Sequence, residues 1–105
     1  NGVLVLNDSK LLIVDWAGDL LEGDFKTQEI KKLGEGFEGG DGLAVKDKTI
    51  FISSWIKGTV YSFKNGKINL LADGFEAAAD IALVYDKKVL VVPDMKAGTV
   101  TFIDI

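Results

Sequence analysis

A chain of 105 residues with 48% apolar and 27% charged residues suits one globular domain and is too apolar to stay disordered. The net charge is -4 and every one of the 12 basic residues is Lys, so the guanidinium fork that grips phosphates and guanine edges is missing and nucleic acid is excluded as a partner. With no His and no Cys, imidazole bases, thiolate nucleophiles and structural zinc are excluded, which leaves oxygen-held cations such as calcium, magnesium or manganese.

In chain order, the first apolar run is Val3-Leu4-Val5, followed by a run over 11–14 that ends at Asp15-Trp16. A polar, Gly-rich stretch over 34–42 then leads into Leu43-Ala44-Val45. From here the pattern predicts strands near 42–46, 49–53, 58–64 and 67–72. Asn65-Gly66 is a two-residue hairpin signal, because both positions must take positive φ, and Asp47-Lys48 marks an earlier turn. Ala82-Leu83-Val84, a turn at Asp86-Lys87, an apolar run over 89–93 and the closing Thr99–Ile105 complete the chain. No run reaches bilayer length, so no membrane partner is expected, and the compartment stays open. No segment carries a helical period with caps.

The chain repeats itself. Leu33 lies over Leu71 and Gly36-Phe37-Glu38 over Gly74-Phe75-Glu76, 38 apart; Asp41 lies over Asp80, 39 apart; Gly58-Thr59-Val60 lies over Gly98-Thr99-Val100, 40 apart. More loosely, the segment ending at Trp16 lies over the one ending at Trp55. A repeat of about 40 residues holding four antiparallel strands is the signature of a β-propeller blade. The expected fold is therefore all-β, with residues 1–105 forming one partial propeller domain of about two and three-quarter blades. These are expected at about 1–40, 41–79 and 80–105, the last without its outer strand. The first strand of each copy is apolar throughout, which predicts burial near an axis. An isolated chain would expose two apolar blade faces, so its partners are the remaining blades or copies of itself.

The phrase GDGLAV…TIFISSW…GTVYSF resembles the six-bladed propellers of the senescence marker protein, gluconolactonase and luciferin-regenerating-enzyme family, and more loosely the NHL-repeat and strictosidine-synthase-like propellers. That resemblance implies six blades, a divalent cation (Ca, Mg or Mn) on the axis and a cation-dependent hydrolase of a small lactone or ester. By the same resemblance Asn1 in Asn1-Gly2-Val3-Leu4 and Asp41 in Asp41-Gly42-Leu43 match two of the family's cation ligands, one blade apart, and Asp41 matches the catalytic base. Neither run has the family's Pro, and the remaining Glu and Asn ligands have no counterpart after Asn1. The alternative is a non-catalytic propeller that binds a small ligand or a protein on its loop face.

Asp41 has a second reading as a turn residue whose carboxylate bonds backbone N–H groups, and its recurrence as Asp80 supports that reading; Asp80 and Asp15 are read as structural or as possible ligands. Asp15-Trp16, Ser54-Trp55 and Asp94-Met95 each follow a second strand and fall on the end where the inner strands begin. There Trp16, Ser54, Trp55 and Asp94 would hold substrate; otherwise the Trp rings pack between blades and Asp15 and Asp94 tie loops together. Ser53, Ser54 and Ser62 lack any His partner, which excludes a Ser-His triad within these residues. The glycines at 34, 36, 39, 40 and 42 precede a strand rather than a helix, so they make a tight connection and not a phosphate cradle.

Overall fold

The computed structural model describes residues 1–105 as three antiparallel sheets joined in sequence. The first is β1 (Gly2–Val5), β2 (Lys10–Val14), β3 (Leu20–Asp24) and β4 (Ile30–Gly34). The second is β5 (Gly40–Lys46), β6 (Thr49–Ser54), β7 (Thr59–Lys64) and β8 (Lys67–Ala72). The third has β9 (Ala82–Val84), β10 (Val89–Asp94) and β11 (Thr99–Asp104). Each sheet is a meander, with strands adjacent in sequence also adjacent in space, and the row of sheets is not closed on itself.

The second sheet matches the predicted strands closely because its turns are chemically explicit. Asn65 and Gly66 take φ of 52° and 76°, as a two-residue hairpin with right-handed strand twist requires, and Asp47 takes φ of 56° at the preceding turn.

Alternation along each strand sends one row of side chains to each neighbouring sheet. Leu43, Ile52 and Phe63 of the second sheet pack with Leu12, Val14 and Leu20 of the first and with Phe37 from the loop between them. Ala44, Phe51 and Val60, on the other face, pack with Leu90 and Val92 of the third and with Ala78 and Ile81 of the segment leading into it. Only the second sheet is covered on both faces. The expected burial of all three inner strands therefore holds for β5 alone: Val3 and Val5 of β1 are 66% and 61% exposed, and Val84 of β9 is also exposed. An apolar strand is buried only where a neighbouring sheet is present to cover it.

The strand registers revise the repeat. Gly40 pairs with Ser54, and Ala78 bridges Asp94. Likewise Trp55 N–H donates to Gly39 C=O, and Met95 N–H donates to Ala77 C=O. The offset is thus 38 up to the start of the inner strand and 40 from β10 onward. The whole change falls in one place, the four residues between β9 and β10, where two suffice between β5 and β6. A short 3₁₀ turn over Tyr85–Lys87, with Lys88 in the left-handed region, takes up the extra length. Asp80 consequently stands at the place of Gly42, not of Asp41. An insertion of one residue before the inner strand would have turned its apolar face outward, and two residues after it preserve the facing.

Ser53 ties the second sheet to the third. Its fully buried hydroxyl donates to Ala79 C=O at 2.6 Å and accepts from Gly42 N–H at 2.8 Å. Ser53→Ala leaves a buried donor and acceptor unpaired, which costs ~1–3 kcal/mol. A lowered midpoint in thermal or urea melts is the expected result, and an unchanged midpoint would show that the seam does not depend on this hydroxyl.

Candidate functional site

One end of the three sheets gathers the residues that open the inner strands. Asn1 lies just ahead of β1 with its amino group donating to Val14 C=O. A Cβ added to Gly2 would lie 2.2 Å from the Asp41 carbonyl oxygen, and one added to Gly42 would lie 2.5 Å from Ile81 N and 2.9 Å from Asp80 Cα. The absence of side chains at these two glycines lets the three strand entries touch, which brings Asn1, Asp41 and Asp80 to one place. Asp41 is half-buried and Asp80 is exposed.

Burial raises the proton affinity of the Asp41 carboxyl, the Asp80 charge raises it further, and the terminal ammonium of Asn1 lowers it. Because its folded-state pKa lies above the ordinary 3.8, ionised Asp41 costs stability at neutral pH. The cost is absent below the unfolded value, appears as pH rises toward the folded one, and is complete above it. Asp41→Asn is therefore expected to melt above the parent at pH 7 and level with it below pH 3.8. A variant that melts lower at pH 7 would mean that the carboxylate is held by partners that favour its charge.

The turns after the second strands lie at the same end of the sheets. Trp16 and Trp55 occupy corresponding turns of the first two sheets, between the second and third strands of each. Their ring centroids are 6.0 Å apart at 47°, and Trp16 is 50% exposed. The Gly39 backbone joins them, its N–H donating to Trp16 C=O and its C=O accepting from Trp55 N–H. Gly39, which holds both turns, precedes Asp41 by two residues. Lys96 Nζ lies 4.6 Å from the Trp55 ring centroid, a cation over an aromatic face. Sequence reasoning missed Lys96, since nothing in its spacing marks a contact across sheets.

The residues just before these turns are committed to the fold. Asp15 accepts from the backbone N–H of Gly18 and Asp19, both at 2.9 Å. Ser54 is fully buried, donates to Glu38 C=O and accepts from Lys57 N–H. Asp94, 5% exposed, accepts from the N–H groups of Glu76, Ala77, Lys96 and Ala97. The Ala97 N–H bond leads in holding its pKa below 3.8, against the opposing effect of burial, with Glu76, Ala77 and Lys96 adding to it. Of the expected substrate face, Trp16 is exposed and Trp55 is half-buried with Lys96 over its ring, while Ser54 and Asp94 are consumed by backbone bonds.

The donor set does not by itself fit a divalent cation. Asn1, Asp41 and Asp80 offer one amide and two carboxylates, and no group of three or more His, Cys, Asp or Glu side chains is gathered anywhere. Calcium takes 6–8 oxygen ligands and magnesium a near-octahedral set.

At the other end, an apolar groove of about 740 Å³ runs between the inner strands, with Leu4, Leu12, Leu43, Ile50, Ile81 and Leu83 among its walls. Tyr85 closes one side through its hydroxyl, which donates to Val45 C=O at 2.8 Å.

No protein-family model matches the chain, and the comparison with curated proteins finds no match. Among solved structures it is similar to the crystal structure of the computationally designed Ika4 protein, with a TM-score of 0.70 and 17% identity over 97% of this chain and 64% of that one. The likeness establishes a shared all-β arrangement of the backbone, and the chain spans less than two thirds of that protein's length.

Proposed function

We propose that the three sheets are consecutive blades of a β-propeller, and that the end carrying Asp41 binds a small, hydroxyl-rich ligand such as a sugar or sugar lactone. The observation that carries this reading is the Trp16–Trp55 pair, Trp16 exposed and Trp55 half-buried, whose turns are held by Gly39, two residues before the half-buried Asp41. An aromatic platform stacks the C–H face of such a ligand, and the carboxylates of Asp41 and Asp80 accept hydrogen bonds from its hydroxyls. The repeat of four antiparallel strands, with a shared inter-sheet packing from one copy to the next, supports the blade assignment.

Titration with sugars and aldonolactones, followed by tryptophan emission, tests the reading. Saturable quenching is expected, and Trp55→Ala is expected to weaken binding about tenfold, near 1.4 kcal/mol. A flat emission response across that ligand class would end it.

A second reading, hydrolysis of a small lactone or ester, is favoured by the raised proton affinity of Asp41, which suits a general base better than an ordinary carboxylate. In that reading Asp41 takes a proton from water while the Trp pair orients the ring. Lactone hydrolysis that survives Asp41→Asn unchanged would rule it out.

A further inference from the structure

The turn after the second strand of each sheet contributes one member to a chain of contacts at the Asp41 end: Trp16 from the first sheet, Trp55 from the second and Lys96 from the third. The two rings lie 6.0 Å apart, and Lys96 Nζ lies 4.6 Å from the Trp55 centroid. The backbone at this lysine is fixed, because its N–H and that of Ala97 donate to the buried Asp94 carboxylate.

Register shows what sets Lys96 apart. With an offset of 40, it stands at the place of Ile56, and Ala97 stands at the place of Lys57. Lys57 is neutralised: its Nζ lies 2.7 Å from the Glu38 carboxylate and donates to Gly36 C=O at 3.2 Å. Glu76 is the counterpart of Glu38, yet Lys96 forms no ion pair with it or with any other carboxylate of the chain. Lys46, the other lysine over an aromatic ring, donates to Tyr85 C=O. The Lys96 ammonium therefore keeps its N–H donors for a group outside the chain, while the Trp55 face holds it in position.

We propose that the ligand of this end carries a carboxylate that pairs with Lys96, and is a sugar acid such as a uronate rather than a neutral sugar. This rests on the sugar site proposed above and names its ligand class. A sugar laid along the three side chains rests its C–H face on the tryptophans and turns its acid group to Lys96. The charge count selects a carboxylate over a phosphate. One ammonium balances one negative charge, whereas a phosphate ester carries about twice that at neutral pH, and the excess is repelled by Asp41 and Asp80 at the same end.

Titration of the 105-residue chain at pH 7 with glucose, glucuronate and a glucose phosphate, read as midpoints of tryptophan quenching, tests the assignment. Glucuronate is expected to bind about fivefold tighter than glucose, the upper range for an exposed ion pair, and molar salt is expected to shrink the ratio. Lys96→Met keeps an apolar stem against Trp55 without the charge and is expected to bring the ratio to one, and Lys96→Arg is expected to restore it.

Saturable quenching with equal glucose and glucuronate midpoints overturns the acid preference and leaves the sugar site standing. A preference that persists in Lys96→Met also overturns it, since the anion is then held elsewhere. Tightest binding by the phosphate overturns the carboxylate assignment. Quenching by none of the three overturns the sugar site and this inference with it.

Discussion

Phe37→Ala is expected to be the most damaging single truncation in the chain, costing about 4 kcal/mol. Phe37 comes from the loop between the first two sheets and is fully buried. Its ring meets Tyr61 edge-on at 5.5 Å and Phe63 at 6.2 Å, so it fills the space between sheets that neither sheet fills itself. Its N–H donates to Gly18 C=O, which holds the loop in place and prevents the neighbours from collapsing into the cavity. For a domain whose whole stability is about 5–15 kcal/mol, this is a large share. A thermal midpoint lowered by roughly 15–30 °C is expected, from about 4–8 °C per kcal/mol at this size. The corresponding Phe75 is less buried, and Phe75→Ala is expected to cost less. Equal losses from the two would show that Phe37 is not the keystone of the first seam.

Gly42→Ala is the second large effect, and it joins stability to the site. The added Cβ would meet Ile81 N at 2.5 Å and Asp80 Cα at 2.9 Å, backbone atoms that cannot swing aside. The third sheet must retreat from the second, which stretches the Ser53 link and separates Asp80 from Asp41. A loss of roughly 3 kcal/mol is expected, at the upper end for overpacking. Gly66→Ala is the control: nothing lies within 4 Å of its Cβ, so only its φ of 76° is penalised, at about 1 kcal/mol. Binding of the sugar probe separates the two further, since Gly42→Ala is expected to weaken it and Gly66→Ala to leave it unchanged. If Gly42→Ala melts like the parent, the strand entries do not touch as described.

Much of this was legible in the residues. The strands of the second sheet followed from alternation and from the Asn65-Gly66 turn, and the repeat followed from Gly-Phe-Glu recurring 38 residues on. These are local properties, fixed by backbone dihedrals and side-chain period. The placing of Asn1 and Asp41 at equivalent strand entries was legible too, because a repeat that stacks must bring equivalent strand entries together.

What only the tertiary structure decided was the facing and occupation of side chains. Sequence alone spread the change of offset over 38, 39 and 40, and so matched Asp41 with Asp80. Pairing across strands put the whole two-residue change after β9, where it keeps Ile81 and Leu90 facing inward, and made Asp80 the counterpart of Gly42. In the same way Ser54 and Asp94 carry side chains suited to holding a ligand, yet their bonds go to loop N–H and C=O groups distant in sequence. Composition and period determine which strands form. Which polar atoms are left free for a ligand depends on backbone groups that only folding brings within hydrogen-bond distance.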